Sequence, residues 1–424
     1  MNSKDTVVKI LAELSRLLIG TVFIFSGFVK AVDPVGGAIK IGDYLTAFGL
    51  DMLQPFTVLL SFNLSAIEFA LGVCMLFGVY RRYVSFLVLV FMAFMTPLTL
   101  YLALFDPVSD CGCFGDALVI TNWETFFKNI VLSVAAVIAF IYNQRLLQCF
   151  TYKVYWFVAL YAYLFGVGFA YYNYNHLPVI DFRPYKIGAN IPKLMEMPEG
   201  VEEDEYKYTF VYEKDGVEKE FSLEDYPAND SSWTFVESKT ELLKKGYQPP
   251  VAAFNIYNEK GDDVTDEIIA VPGPVLLLIA PKLEDANDEQ MDEMNGVYDY
   301  ALEHNIPFYC VTGSSLEAID AWSDNTGAEY PYRMADEVLL KTIIRSNPGL
   351  VLLKGGTIVG KWHYNDIPAE EDVKEVMDQF LDENVTKSEE DGALVTNLLT
   401  FTVPLLLVWL YDLLRFRRKR REKK

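Results

Sequence analysis

The chain has 424 residues, 52% of them hydrophobic, and a formal net charge of −22 from 58 acidic and 36 basic residues. Such acidity repels phosphate groups, so the composition argues against nucleic acid as a partner. Long apolar runs alternate with polar segments, which excludes a uniformly soluble protein and favours a lipid-embedded helical bundle joined to an extramembrane domain.

Six apolar runs have about the length of a membrane-spanning helix, which needs about 20 residues. They cover residues 11–29, 56–80, 84–104, 126–142, 154–170 and 394–414. The first exceeds a signal-peptide core, and no A-x-A cleavage site follows, so we expect it to remain as an anchor. The runs predict a four-helix core in residues 1–150, a fifth span in 151–173, an external domain in 174–390 and a sixth span with a basic tail in 391–424.

Basic residues between the runs indicate the orientation. They are Arg81, Arg82, Arg145, Lys153 and most of residues 415–421. Short cytoplasmic loops carry the excess of Lys and Arg, so these regions and both termini are predicted to be cytoplasmic. Residues 33–51, 106–123 and 171–391 then lie outside. This predicts a multi-pass protein of a bacterial inner membrane with a periplasmic domain.

Three of the five cysteines fall on the predicted oxidising side: Cys111, Cys113 and Cys310. Cys310 lies in an apolar run typical of a buried strand, which leaves Cys111 and Cys113 as the candidate redox pair. A disulfide between them would close a very small ring, and such strained bridges are easily reduced. Gly112 gives the backbone the freedom that closure needs.

Other roles for the pair remain open. Two thiolates are too few for a closed zinc site, and the chain has only three histidines, so we predict no metal site. A purely structural pair is a further alternative. Asp110 and Asp116 flank the cysteines, and nearby negative charge raises the pKa of a thiol, so a strongly acidic nucleophile is not expected.

Glu68 lies near the middle of the second run, where an ionisable group is costly and usually faces the bundle interior. It could hold a proton or pair with a base, and Arg16 in the first run is a candidate partner. Lys30 is expected to extend outward to the membrane surface. A structural polar clamp and a proton-handling site both fit.

The first part of the chain resembles the DoxX/MauE superfamily of small four-helix membrane proteins, over about residues 11–142. The matching residues are Gly20, Phe23, Ser26, Gly27, Lys30, Glu68, Gly72 and the C-G-C-F-G segment at 111–115. That segment points to the MauE branch, which is associated with methylamine utilisation and with disulfide formation in an exported dehydrogenase subunit. The resemblance implies thiol redox chemistry at Cys111 and Cys113 and leaves the substrate open.

The external segment predicts a β-rich entry at residues 200–245 and an α/β domain at 246–383. Its strands are predicted at 252–257, 274–280, 307–312, 350–353 and 357–361, and its helices at 287–304, 314–324 with Ser314 as N-cap, 336–344 and 370–381. This order resembles the thioredoxin fold of TlpA-like envelope proteins. The resemblance implies that Pro348 is a cis-proline that contributes to binding.

Residues 281–286 contain no cysteine where the thioredoxin family carries C-x-x-C. The domain is therefore expected to bind or position a partner without exchanging thiols itself. We predict a membrane-bound redox helper that passes electrons between a periplasmic or membrane protein and a carrier such as quinone. The alternative is a non-enzymatic envelope scaffold. A transporter is disfavoured, because no inverted repeat is evident.

Overall fold

The structure is a computed structural model, and it describes residues 3–108, 110–198, 200, 205–214, 217–222, 233–244, 249–251, 254–381 and 388–417. Its first part is helical. The helices are α1 (Ser3–Val32), α2 (Pro34–Ala47), α3 (Thr57–Phe77), α4 (Arg81–Phe105), α5 (Asn122–Ile141) and α6 (Tyr155–Asn175).

Five helices of the described chain are long and apolar enough to cross a membrane. They are Asp51–Phe77, Arg81–Phe105, Asn122–Ile141, Tyr152–Asn175 and Val395–Arg415. The chain is thus a multi-pass membrane protein in its helical part. α1 is not among the five, so the first predicted span stays a prediction.

Glycines let α1 and α3 approach at backbone contact distance. A Cβ on Gly27 would lie 2.4 Å from the Phe69 nitrogen, and one on Gly72 would lie 2.5 Å from the Ile24 nitrogen. Small residues at such positions allow close packing of helices in a membrane. We call the contact between α1 and α3 the seam. The polar side chains that face each other across it are therefore brought within hydrogen-bonding distance.

Residues 33–51, predicted as an outer loop, contain the helix α2. The Asp33 carboxylate accepts a hydrogen bond from the Gly36 backbone nitrogen, and Pro34 occupies the first turn. Both are favoured at a helix start, because the side chain satisfies a free N–H and proline has none to lose. Asp33-Pro34 therefore ends α1 and begins α2.

Basic residues cluster at the end of the bundle opposite the segment that joins α4 to α5. The Arg81 guanidinium donates to the Leu146 carbonyl oxygen at 2.6 Å. That of Arg145 lies 3.1 Å from the Asp5 carboxylate. The charged loops predicted on one face therefore lie together at one end of the bundle.

The next elements are a short helix α7 (Ile191–Met195) and the strands β1 (Glu205–Lys214), β2 (Val217–Ser222) and β3 (Thr234–Lys244). The strands form an antiparallel sheet in the order β2-β1-β3. The described part of the predicted β-rich entry at residues 200–245 thus consists mainly of these three strands.

A second sheet forms the core of the following domain. The elements are α8 (Thr265–Ile269), β4 (Pro274–Ala280), α9 (Met291–Glu303), β5 (Phe308–Thr312), α10 (Leu316–Thr326), β6 (Tyr332–Met334), α11 (Glu337–Ile343), β7 (Gly349–Lys354), β8 (Thr357–His363) and α12 (Val373–Leu381). The helix α13 (Ser388–Asp412) follows the domain and overlaps the last of the five apolar helices. The strand order is β6-β5-β4-β7-β8. β4, β5 and β6 run parallel, while β7 and β8 are antiparallel to their neighbours. This is a thioredoxin-like arrangement.

Several local predictions on this domain can be checked. The Asn347–Pro348 bond is cis, as expected, and Cys310 is fully buried on β5. Ser315, and not Ser314, caps α10, because the Ser314 hydroxyl is already bonded to the segment at 283–284. Residues 254–256 form no strand, Tyr257 makes only isolated bridges, and the predicted positions 252–253 lie outside the described residues.

A buried charge cluster ties the segment after α6 to the sheet. The Asp181 carboxylate lies 2.8 Å from Arg183 Nε and 2.7 Å from Lys361 Nζ on β8. Against burial, which acts the other way, the two cations lower the pKa of Asp181 to about 2. These ion pairs therefore hold the segment that connects the bundle to the domain against the sheet of the domain.

Candidate functional site

The two neighbouring cysteines lie in the connection between α4 and α5. Their Sγ atoms are 2.8 Å apart, and both residues are buried, with 7% of Cys111 and 9% of Cys113 exposed. They pack against Leu102 and Met95 of α4. The chain thus places two thiols in contact in an enclosed position at the end of the bundle.

Gly112 allows the turn between the two cysteines. Its φ is +64°, and a Cβ there would lie 2.7 Å from Lys40 Cγ. Left-handed backbone is costly for residues with a Cβ, so conformation and space both require glycine. The Asp110 carboxylate accepts the Gly112 N–H at 2.8 Å and completes the turn.

Helix α2 covers the cysteine loop. The Tyr44 hydroxyl donates to the Cys111 carbonyl oxygen at 2.9 Å, and Lys40 Nζ lies 3.0 Å from Asp110 Oδ2. Both side chains project from one face of α2, since they are four residues apart. Tyr44 also packs against the buried cysteines, so α2 lies against the cysteine loop.

Three polar side chains lie beneath the loop, on the seam between α1 and α3. Lys30 Nζ is 2.7 Å from Glu68 Oε1 and 2.8 Å from Oε2. The Ser26 hydroxyl is 2.6 Å from Glu68 Oε2 and 2.7 Å from the Cys113 carbonyl oxygen. The prediction that Lys30 extends outward is wrong, because the buried Glu68 carboxylate holds its ammonium group inside.

Arg16 is not the partner of Glu68. Its Nε lies 2.6 Å from Glu13, and its guanidinium also donates to the Leu76 carbonyl oxygen. At 1.5 Å per residue, Arg16 is about 21 Å along α1 from Lys30. The two buried cations therefore serve opposite ends of the bundle.

The flanking aspartates do not dominate the electrostatics of the loop. Lys40 neutralises Asp110, and Arg345 of the external domain lies 3.3 Å from Asp116. Lys128 Nζ lies 4.2 Å from the centre of the Phe114 ring, beside the loop.

The thiols therefore differ from each other. Their mutual contact and burial raise the pKa of Cys111. The same contact, aided by Lys128 and Lys30, lowers the pKa of Cys113 against the effect of burial. The sequence-based expectation considered only Asp110 and Asp116, whereas the contact with Cys111 and the nearby Lys128 and Lys30 act on the pKa of Cys113 in the opposite direction.

A small cavity adjoins Cys113. Its volume is about 30 Å³, and its polar lining comes from Ser26, Lys30, Glu68, Lys128 and Asn129, with apolar side chains of α1, α4 and α5 around them. A space of this size admits about one water molecule and is too small for a quinone ring.

The external domain docks onto the bundle beside the cysteine loop. Arg345, just after α11, contacts Asp33 through Nε and Nη2, the latter at 2.9 Å, and only 8% of its side chain is exposed. A cleft of about 900 Å³ separates the outward face of α2 from residues 281–289 and 345–347 of the domain. α2 therefore lies between this cleft and the cysteines.

The segment that replaces C-x-x-C is bonded to the cis-proline loop. The Asn287 N–H donates to the Asn347 carbonyl oxygen at 2.9 Å, and Asn347 Nδ2 donates to the Lys282 carbonyl oxygen at 2.7 Å. Pro348 itself is buried, and its neighbours Ser346 and Asn347 line the cleft. Pro348 is therefore not part of the cysteine site. In the cleft, Ser346 and Asn347 are the residues of this loop that can contact a partner.

The structure thus brings four predicted residues together, Cys111, Cys113, Glu68 and Lys30, and leaves out Arg16 and Pro348. The sequence analysis did not identify Lys40, Tyr44, Lys128 and Arg345 as parts of the site, and it named Ser26 only among the residues that carry the family resemblance. A signal existed for α2, since Asp33-Pro34 is a helix-start pattern and Lys40 and Tyr44 are spaced for one face. No local pattern indicates Arg345, which acts through a contact between domains.

Comparison with known proteins gives two family matches. Residues 8–142 match the model described as methylamine utilisation protein MauE, and residues 206–245 match a domain of unknown function, DUF8463. No curated protein matches the chain.

A solved structure of a candidate protein disulfide isomerase from Bacteroides thetaiotaomicron is 18% identical and covers 33% of this chain and 90% of its own, with a TM-score of 0.25. That score is too low to support a conclusion, so the thioredoxin-like fold rests on the strand order. The chain combines a MauE-like membrane part with a thioredoxin-like domain.

Proposed function

We propose that the protein is a membrane-bound thiol–disulfide exchange protein whose redox centre is the pair Cys111 and Cys113. The Cys113 thiolate attacks a disulfide of a partner protein, and one partner thiolate leaves. The Cys111 thiolate then attacks the Cys113 sulfur, which releases the second partner thiolate and closes the loop disulfide. Two electrons pass to the partner, and a second dithiol protein would reduce the loop again by the reverse steps.

The observation that carries this proposal is the contact between two buried thiols of unequal acidity. The sulfur atoms lie 2.8 Å apart, and the pKa of Cys113 is lowered while that of Cys111 is raised. A thiolate is the attacking species in exchange, so this asymmetry supports Cys113 as nucleophile and Cys111 as resolving thiol.

The placement of the protein belongs to the same proposal. We place it in a bacterial inner membrane with α1 as a sixth span, its basic loops in the cytoplasm and the cysteine loop in the periplasm. The positive-inside rule supports this orientation, because the basic loops share one end of the bundle and the cysteines occupy the other. An oxidising compartment then surrounds the redox pair.

The thioredoxin-like domain is proposed to hold the partner. The cleft between it and α2 is lined on the side of the domain by Lys282 and Asn347, which offer polar contacts. A partner segment bound there would lie against α2.

Trapping tests this function. Cys111→Ser leaves the more acidic thiol without its resolving partner, so mixed disulfides with envelope proteins should accumulate on Cys113 and disappear on reduction. Cys113→Ser should trap fewer, because burial still raises the pKa of the remaining Cys111 thiol. The measurement is non-reducing electrophoresis followed by mass spectrometry of the cross-linked species.

The double variant Cys111→Ala/Cys113→Ala is the matched control. It should form no adduct and should lose the cellular function of the protein. Absence of adducts from both single variants in cells where the protein is abundant would refute the exchange function. If the double variant keeps full function, the non-enzymatic scaffold is favoured. The absence of C-x-x-C from the external domain also favours the scaffold.

A further inference from the structure

A pocket lies at the end of the bundle opposite the cysteine loop. Its volume is about 530 Å³, and it is lined by side chains of α1, by the first residue of α4 and by residues 145–148 after α5. Four of the lining residues are charged: Lys9, Glu13, Arg81 and Arg145. A pocket of this size with three cations and one carboxylate suits an anionic group.

The carboxylate in this lining is already neutralised. The Glu13 carboxylate lies 2.6 Å from Arg16 Nε, and it also accepts the Leu147 N–H. Arg145 is paired as well, with Asp5 at 3.1 Å. The charge that remains in the pocket therefore comes from its other two cations.

Those two cations are Lys9 and Arg81. Within the part of the chain that the structure describes, neither of them forms an ion pair. Arg81 Nη1 donates to the carbonyl oxygens of Gln144 at 3.0 Å and Leu146 at 2.6 Å, which are neutral acceptors. Arg81 is also the first residue of α4, and a helix N-terminus carries partial positive charge. The pocket thus has an excess of positive charge that an anion would balance.

The surface of α1 beside the pocket is apolar. Ile10, Leu14 and Leu17 all lie within four residues of Glu13, so they form a stripe next to it on the helix. Their exposed fractions are 53%, 57% and 43%. The acyl chains of a lipid would cover such a stripe, whereas a soluble phosphate compound would contact the cations alone. The two features together favour a phospholipid as the ligand.

We propose that this pocket binds the head group of an anionic phospholipid. Lys9 and Arg81 contact the phosphate oxygens, since a guanidinium group can donate two parallel hydrogen bonds to phosphate and an ammonium group adds a point charge. The acyl chains lie against the apolar stripe of α1. The site is at the other end of the bundle from Cys111 and Cys113, so this inference goes beyond the proposed exchange function and does not rest on it.

Native mass spectrometry of the full-length protein in detergent tests this site. The protein is titrated with phosphatidylglycerol and with phosphatidylcholine that carries the same acyl chains. Wild-type protein should bind the first phosphatidylglycerol about tenfold more tightly, because the two uncompensated cations repel the choline group. Lys9→Gln and Arg81→Gln should each weaken phosphatidylglycerol binding about fivefold. Equal affinity of the wild-type protein for the two lipids would overturn the proposal.

Neighbouring basic residues provide matched controls. Arg82→Gln and Lys4→Gln remove the same charge from exposed positions on the same two helices, outside the pocket lining. Both variants should bind phosphatidylglycerol as the wild-type protein does. If Arg82→Gln weakens binding as much as Arg81→Gln, the lipid is attracted by the basic end of the bundle as a whole, and the pocket is not its site.

Lys9→Gln keeps the test decisive if Arg81→Gln fails to fold. Lys9 is exposed, and its replacement leaves the bonds between Arg81 and the turn after α5 in place. Unchanged phosphatidylglycerol affinity of the folded Lys9→Gln protein would refute the proposed contact with the phosphate.

Glycerophosphoglycerol, which is the head group without acyl chains, distinguishes a lipid from a soluble phosphate compound. It should fail to displace phosphatidylglycerol at equal concentration, because it leaves the apolar stripe of α1 uncovered. Displacement at equal concentration would show that the pocket takes a free phosphate diester, and the assignment to a lipid would then be wrong.

Discussion

At the residue scale, the site depends on backbone conformations that few side chains allow. Gly112 and Gly49 both have left-handed φ angles, +64° and +68°, but only Gly112 has a neighbour where a Cβ would lie. That neighbour is Lys40 of α2, at 2.7 Å. The glycine between the cysteines therefore serves two purposes, the turn itself and the close approach of the covering helix.

Replacing Gly112 and Gly49 by alanine should distinguish the contribution of the left-handed turn from that of the close approach of α2. Left-handed backbone costs an alanine about 1–2 kcal/mol, so Gly112→Ala and Gly49→Ala should both lose about that much unfolding free energy. Gly112→Ala should lose more, because Lys40 must also shift. Unfolding midpoints in detergent measure the difference. Equal losses in the two variants would show that the contact with Lys40 has no energetic weight.

At the element scale, α2 is bonded to the cysteine loop. It begins at the Asp33 cap, crosses the loop and bonds to it through Tyr44 and Lys40. Since these bonds hold a helix against a loop with two buried thiols, weakening one of them should expose the thiols more often.

Tyr44→Phe removes one hydrogen bond, worth about 1 kcal/mol, and should raise the fraction of molecules with α2 displaced about fivefold. Alkylation of Cys111 and Cys113 by N-ethylmaleimide, measured for each residue by mass spectrometry, should accelerate by the same factor. Tyr83→Phe, an exposed tyrosine at the far end of α4, is the control and should have no effect. Equal rates in both variants would mean that α2 does not limit access.

At the scale of the whole molecule, Arg345 links the external domain to the bundle. It contacts Asp33, the cap of α2, and Asp116, which follows the cysteine loop. One side chain thus connects the domain, the covering helix and the redox loop. A change in how the domain sits would therefore be transmitted to the elements that surround the thiols.

Arg345→Gln should free the domain. Removing one partner of a buried ion pair leaves the other charge unpaired, so the unfolding free energy should fall by about 3 kcal/mol. Limited proteolysis should also cleave the connection after α6 faster. Lys341→Gln, one turn earlier, breaks an exposed pair with Glu337 and should cost less than about 1 kcal/mol. Similar losses in both variants would show that Arg345 does not hold the domain.

The sequence by itself determined the features that depend on neighbours along the chain. Apolar runs placed the long helices, and the continuous run at 274–280 became the central strand β4. Cys111 and Cys113 were identifiable because their spacing alone brings the sulfur atoms together. Such signals depend on a few neighbouring residues, so they can be recognised without knowledge of how the chain packs.

Only the tertiary structure decided which charges meet. Lys30 pairs with Glu68 across 38 positions, Lys40 with Asp110 across 70, and Arg345 with Asp33 across 312. These pairings follow from the close approach of α1 to α3, from α2 folding over the loop, and from the docking of the domain. A buried charge takes the partner that packing brings within about 3 Å, and the order of residues along the chain does not encode that distance.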